Sequence, residues 1–117
     1  TFALDNDPLD VLIFNHDPID RGSLVRCRVL GVLDFVDDNE IDYKVIAVPH
    51  WAPKNRYPRL SSVEDEHLKI YKQFFRIYKI DRASTVKVGE WKNGKKASTV
   101  VLDAHNRWQE IQNKKND

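Results

Sequence analysis

The sequence predicts an α+β domain, a small antiparallel and partly closed barrel of strands with two helices packed outside it. Three observations predict this class. Short apolar, β-branched segments separated by turn residues dominate the first half of the chain. Two segments with apolar residues at helical spacing follow, with one more strand pattern between them. The 117 residues, of which 41% are hydrophobic and 32% charged, suit one ordinary domain with its own core.

The predicted strands are bounded by turn residues. Residues 11–14 form a short apolar run between Asp10 and Asn15 and are expected to be a strand. Residues 24–36 predict a long strand, with Gly31 where a bulge would fit. Its predicted apolar face consists of Val25, Cys27, Val29, Leu33 and Phe35. Residues 37–40 are turn-forming, and residues 43–48 predict the returning strand, which Pro49 ends.

The second half predicts two helices. Residues 50–60 read as a loop, after which Ser61 or Ser62 is expected to cap a helix, with Ser61 and Glu64 as a capping box. The apolar face of this helix is predicted to be Leu68, Tyr71, Phe74, Phe75 and Tyr78. Residues 85–91 alternate like a strand, and a turn at residues 93–94 leads into the last helix. That helix is expected to pack through Ala97, Val101, Ala104, Trp108 and Ile111.

Composition excludes several classes of protein. Nineteen basic and eighteen acidic residues give a net charge of +1, which argues against general nucleic-acid binding. No apolar run approaches the length of a membrane span, so we expect no membrane partner. The single cysteine, Cys27, has no partner for an internal disulfide, and a cytoplasmic location is the simplest expectation. Cys27 itself is expected to be a small core residue.

Three closely spaced aspartates are the densest chemical signal. Asp5, Asp7 and Asp10 surround Pro8, and in an extended segment Asp5 and Asp7 point the same way. Converging carboxylates repel one another unless a cation neutralises them, and hard oxygen ligands favour Mg²⁺, Mn²⁺ or Ca²⁺. A calcium EF-hand does not fit, because Gly and Glu are missing at the required positions. A solvated acidic loop remains an alternative.

A second acidic segment supports the metal interpretation. Asp37 and Asp42 lie at the two ends of the predicted hairpin connection. Lys44 is two residues beyond Asp42 and therefore points to the same side of the strand. A lysine beside metal-binding carboxylates is expected if an anion such as phosphate also binds there. The alternative is that Lys44 is an ordinary solvated strand residue.

The motifs together resemble those of family I soluble inorganic pyrophosphatases. The resemblance begins with Asp-x-Asp-Pro-x-Asp-Val at residues 5–11 and continues through Arg-Cys-Arg-Val-Leu-Gly-Val-Leu at residues 26–33. It includes Asp37, Asp42 and Lys44 and the Val-Ile-Ala-Val-Pro segment at residues 45–49. It extends to Phe-Phe-Arg-Ile-Tyr-Lys at residues 74–79 and the strand at residues 86–91. Order and spacing agree over most of the chain.

The resemblance implies an OB-like barrel and Mg²⁺-dependent hydrolysis of pyrophosphate to two orthophosphates by water that metal ions activate. It implies that Asp5, Asp10, Asp37 and Asp42 bind metal, with several Mg²⁺ ions per site and Mn²⁺ as a substitute. Asp7 would be the general base. Phosphate oxygens would be held by Lys44, Tyr78 and Lys79. The spacing alone favours a different interpretation, in which Tyr78 is the last residue of the apolar helix face and Lys79 is an ordinary cation near a helix C-terminus.

The resemblance also sets expectations for the whole molecule. Residues 1–117 would be a single pyrophosphatase-like domain, corresponding to the C-terminal two-thirds of the family fold. The chain would then be N-terminally truncated or partial, with its barrel incomplete, and it would form a homo-oligomer, a dimer or a hexamer. The alternative from another class is a non-catalytic OB-like barrel that binds a divalent metal ion or a partner.

Overall fold

Six strands form one sheet in the computed structural model, which describes residues 3–4, 8–80 and 85–115. Two α-helices and one short 3₁₀ helix accompany the sheet. The strands are β1 (Ala3–Leu4), β2 (Asp10–Ile13), β3 (Cys27–Asp37), β4 (Glu40–Ile41), β5 (Lys44–Pro49) and β6 (Val86–Lys92). The 3₁₀ helix is Leu60–Ser62, and the α-helices are α1 (Asp65–Ile80) and α2 (Gly94–Lys115). Neither α-helix is long and apolar enough, over the residues described, to cross a membrane.

The long strand β3 organises the sheet. It pairs antiparallel with β6 along one edge and antiparallel with β4 and β5 along the other. On the far side, β1 runs parallel to β4 and β2 runs parallel to β5. The sheet is therefore mixed, whereas the sequence predicted an antiparallel one. Over the described residues it is not closed into a barrel, which agrees with the predicted partly closed α+β architecture.

A bulge in β3 lies where the sequence predicted one. The pairing of β3 with β5 shifts register between Val29 and Gly31. An extra residue reverses the alternation of side chains beyond it. Val29 accordingly packs on the α2 side of the sheet, while Leu33 and Phe35 pack on the α1 side. The prediction that these three residues share one face is therefore wrong.

The sheet is covered on both faces, and each face has its own core. On the α1 face, one cluster contains Leu33, Phe35 and Phe75, and a second contains Leu30, Ile46, Val48, Val63 and Leu68. On the α2 face, the buried residues are Val32, Val45, Ala97 and Val100. Alternate residues of β5, and of β3 beyond the bulge, thus face different helices.

Both helices differ from the predictions at one end. Helix α1 begins at Asp65, because the first helical hydrogen bonds run from the N–H groups of His67 and Leu68 to the carbonyl of Glu64. The capping box predicted at Ser61 is wrong, since that serine lies within the 3₁₀ helix. On α2, the fully buried residues are Ala97 and Val100 in the first two turns, and the predicted packing residues Trp108 and Ile111 are about half exposed.

Candidate active site

A tight hairpin turn sets the geometry of the acidic segment. Asp38 and Asn39, with φ of 50° and 66°, connect β3 to β4. Two consecutive residues with positive φ are typical of a type I′ turn, which Asn and Asp tolerate. The N–H of Thr85 donates to Asp38 Oδ1 at 2.7 Å, and the N–H of Asp38 donates to the Thr85 carbonyl at 2.8 Å. The predicted turn is confirmed, and it is tied to the residue that precedes β6.

Strand register brings Asp10, Asp42 and Lys44 onto one face of the sheet. Asp10 in β2 is the register partner of Lys44 in β5, and Lys44 is the partner of Leu33 in β3. The N–H of Asp42 donates to the carbonyl of Phe35 at 2.9 Å. Register partners and residues two apart share a face. This face is the one that α1 covers, because Leu33 and Phe35 pack against Phe75 of that helix.

Lys44 joins the two aspartates. Its Nζ donates to Asp10 Oδ2 at 2.6 Å and to Asp42 Oδ2 at 2.7 Å. The lysine side chain is only 1% exposed, that of Asp42 is 8% exposed and that of Asp10 is 57% exposed. One buried cation thus holds two carboxylates within a few ångströms of each other, and one of the two is open to solvent. Two negative charges beside one positive charge leave this trio with a net negative charge.

Two aromatic rings lie against the ammonium group. Lys44 Nζ is 4.9 Å from the centre of the Phe35 ring and 5.8 Å from the centre of the Phe75 ring. The two rings themselves meet edge to face, with centres 6.3 Å apart. A cation near ring faces is favoured by the ring quadrupoles, especially away from water. The sequence pattern predicted only packing roles for both phenylalanines. The signal that could have indicated this contact is the alternation that places Phe35 and Asp37 on one face.

Asp37 ends β3 on the same face. It pairs with Glu40 of β4 and with Val86 of β6, and its side chain is partly buried. It lies two residues beyond Phe35, so alternation directs both side chains to the α1 side. The hairpin therefore carries Asp37 and Asp42 on the face that also holds Asp10. Metal binding by Asp37 stays a prediction.

Four predicted site residues are not described at the level of side chains. Asp5 and Asp7 lie outside the described residues. Tyr78 and Lys79 belong to the last turn of α1, and their side chains are outside the described part of the structure. The roles predicted for these four residues stay predictions. Of the other predicted site residues, Lys44 contacts both Asp10 and Asp42.

The donor set can be compared with what a hard divalent cation requires. Carboxylate oxygens are the ligands that Mg²⁺ prefers, and Asp10 is exposed enough for a hydrated ion to approach. Among residues 3–4, 8–80 and 85–115, no three His, Cys, Asp or Glu side chains gather closely enough to hold a metal ion. The chemistry of the donors therefore fits Mg²⁺, while the described carboxylates alone do not make a complete site.

Comparison with known proteins shows which family this chain resembles. The model of the family described as inorganic pyrophosphatase matches residues 1–109. An inorganic pyrophosphatase of Vibrio vulnificus (strain YJ016) is 39% identical over 113 residues, which are 93% of this chain and 64% of the relative. One from Escherichia coli (strain K12) is 37% identical over 111 residues, covering 92% of this chain and 63% of the relative.

Solved structures show the same similarity. The crystal structure of an inorganic pyrophosphatase from Neisseria gonorrhoeae has a TM-score of 0.79 and 35% identity, covering 92% of this chain and 65% of that chain. The chain thus spans less than two thirds of the length of each of these three proteins. Because the family model matches nearly the whole sequence and the fold agrees, the chain belongs to the inorganic pyrophosphatase family.

Proposed function

We propose that this protein hydrolyses inorganic pyrophosphate to two orthophosphates with Mg²⁺ as its metal ion. The observation that carries the proposal is the cluster of Asp10, Asp42 and Lys44 on one sheet face, in a chain of the pyrophosphatase family. Carboxylates gathered around a cation, with one of them open to solvent, are suited to bind divalent ions and a phosphorylated anion together. We further propose that residues 1–117 act as one domain, the C-terminal two-thirds of the family fold, and that the protein is cytoplasmic.

The metal-binding role is proposed for four carboxylates, those of Asp5, Asp10, Asp37 and Asp42. Bound Mg²⁺ ions, for which Mn²⁺ would be a substitute, would lower the pKa of water and neutralise charge on both phosphates. Asp10 and Asp42 support the proposal because Lys44 already holds them near each other. Preorganisation of this kind lowers the electrostatic cost of placing like charges side by side.

The remaining residues act on the proton and on the phosphates. Asp7 is proposed to accept a proton from the attacking water, as a general base. Lys44, Tyr78 and Lys79 are proposed to stabilise negative charge on the departing phosphate. For Lys44 this role requires the ammonium to exchange part of its contact with Asp10 or Asp42 for a phosphate oxygen. The exposed position of Asp10 makes its contact the easier one to exchange.

Release of orthophosphate from pyrophosphate, with and without Mg²⁺, tests the proposal directly. Asp7→Asn is expected to reduce turnover by at least about a hundredfold, which is the range for loss of a general base, while Mg²⁺ binding measured by calorimetry is largely kept. Asp17→Asn, at an exposed position, is the matched control and should leave turnover unchanged. Unchanged turnover in Asp7→Asn would remove Asp7 as the base.

Lys44 requires a separate measurement. Lys44→Ala is expected to raise the Kd for pyrophosphate more than the Kd for Mg²⁺. An equal loss of both affinities would instead indicate that Lys44 only holds the carboxylates in place. If the unsubstituted protein binds Mg²⁺ but releases no phosphate, the alternative of a non-catalytic module that binds a divalent ion is favoured.

Self-association is also proposed, as a dimer or a hexamer. Helix α1 carries three apolar side chains on its outer surface, those of Ile70, Phe74 and Ile77, and each is more than half exposed. Their spacing places them on one stripe of the helix. Exposed apolar stripes are commonly buried against another copy of a chain. Light scattering is expected to give a mass above the 13.7 kDa of the chain, and Ile77→Lys should lower it.

A further inference from the structure

A cavity lies on the opposite side of the sheet from the acidic cluster. It has a volume of about 460 Å³ and is bordered by Asp34, Phe35 and Val36 of β3, by Ile41 and Tyr43, by Lys92 at the end of β6, and by Asn93 and Lys96 at the start of α2. Tyr43 packs against the cluster of Val32, Val45, Ala97 and Val100, so the cavity opens on the α2 face. Asp42 and Lys44 flank Tyr43 in sequence but point to the other face. The cavity is therefore separate from the proposed catalytic site.

One side of this cavity is cationic. Lys96 lies over the ring of Tyr43, with its Nζ 5.5 Å from the ring centre. Lys92 Nζ is 4.0 Å from Asp34 Oδ2, at the outer limit of an ion pair, and both side chains are substantially exposed. Asp34 lines the cavity as well, so two lysines face one carboxylate there and the balance of charge is positive. Because its ion pair with Asp34 is long and exposed to solvent, Lys92 is held weakly and can turn towards an anion.

The start of α2 strengthens this positive side. The N–H of Lys96 donates to Asn93 Oδ1 at 3.3 Å, so Asn93 caps the helix. The first turn of a helix presents N–H groups and a positive dipole end, which favour anions. A second hollow of about 280 Å³ shares Asn93 and Lys96 and adds Lys95 and Thr99. The cationic surface therefore continues from the cavity across the first turn of α2.

The opposite wall is apolar. Val36, Ile41 and the ring of Tyr43 provide a surface that a flat or aliphatic group can cover. An inorganic ion would contact the lysines and leave this wall in water. A volume of this size matches the small end of pockets for organic ligands. We propose that the cavity binds a small organic phosphate, with its phosphate between Lys92 and Lys96 and its apolar body against Tyr43 and Ile41.

Titration with phenyl phosphate in metal-free buffer, followed by NMR, tests this site independently of catalysis. The backbone amide signals of Lys92, Asn93 and Lys96 are expected to shift, and that of Asp10 on the other face of the sheet to stay unchanged. The double variant Lys92→Gln/Lys96→Gln should raise the Kd about tenfold or more, since charged hydrogen bonds to phosphate are lost. Lys114→Gln/Lys115→Gln, at the other end of α2, is the matched control with unchanged Kd.

Three results would overturn the proposal. The first is an equal Kd in the two double variants, which would remove the lysines from the site. The second is a set of shifts confined to the amides around Asp10 and Lys44, which would assign binding to the acidic face. The third is an equal Kd for inorganic phosphate and phenyl phosphate, which would remove the apolar wall from recognition. Because turnover of pyrophosphate enters none of these measurements, their outcome is independent of whether the protein proves to be a pyrophosphatase.

Discussion

Lys44 and Asp42 form an ion pair 2.7 Å long in which both side chains are almost completely buried, at 1% and 8% exposure. Their carboxylate and ammonium groups lie on the face of the sheet that α1 covers, above the rings of Phe35 and Phe75. Removing two charges from water is unfavourable unless the pair is closely matched and further contacts satisfy each group. Lys44 meets this requirement through Asp10, which remains open to solvent.

Lys44→Met is expected to lower the free energy of unfolding by about 3 kcal/mol, because it leaves Asp42 as a buried charge without its ammonium partner. Adding Asp42→Asn to this variant should restore about 1 kcal/mol or more, since the buried charge that Lys44 balanced is removed. Urea unfolding at neutral pH measures both values. Lys72→Met is the control: its partner Glu90 is exposed, so it should change stability by less than about 1 kcal/mol. An equal effect of the two lysine substitutions would contradict the buried role of Lys44.

Two adjacent phenylalanines should differ sharply in their effect on stability. Phe75 is 7% exposed and lies against Phe35, whereas Phe74 is 54% exposed. Phe75→Ala is therefore expected to destabilise the protein by about 3 kcal/mol or more, through lost burial and a cavity next to Lys44. Phe74→Ala should destabilise it by about 1 kcal/mol or less. Thermal unfolding of the two variants compares them, and similar melting temperatures would show that α1 packs through a different face.

Gly31 should not tolerate a side chain. A Cβ at this position would lie 2.7 Å from the carbonyl oxygen of Lys92 and 2.8 Å from Leu60 Cδ1. The carbonyl belongs to the backbone of β6 and moves only if that strand moves. Gly31→Ala is expected to lower the free energy of unfolding by about 2 kcal/mol. Chemical denaturation measures it, and an unchanged midpoint would mean that β6 does not approach the bulge so closely.

Cys27 should react slowly with alkylating reagents. Burial raises the pKa of the Cys27 thiol above that of a free cysteine. The thiolate is the reactive form, so at any pH below the raised pKa a smaller fraction of Cys27 is ionised than of a free thiol. Alkylation by iodoacetamide at pH 8 is expected to be several-fold slower than for glutathione and to accelerate above pH 9. Rates equal to those of glutathione throughout this pH range would contradict the raised pKa of this partly buried thiol.

Much of the fold could be predicted from local patterns. The strand at residues 11–14, the turn at residues 37–40, the bulge near Gly31 and the two helical segments were all recognisable, because each follows from side-chain periodicity or backbone preference over a few residues. The type I′ geometry at Asp38 and Asn39 is of the same kind. Local patterns are least reliable at helix ends, because one or two weak hydrogen bonds decide which residue is first; this explains the error at the start of α1.

The amino-acid sequence by itself determines the residue types of the site and their order. It places acidic residues at the ends of two predicted strands and a lysine two positions after Asp42. Which partners that lysine has was decided only when the chain folded. The parallel pairing of β2 with β5 brings Asp10 beside Lys44, thirty-four residues away, and helix α1 brings the Phe75 ring near the ammonium. These contacts join segments distant in the chain. The energy that selects them comes from burying apolar side chains of those segments together on each face of the sheet, which no local pattern encodes.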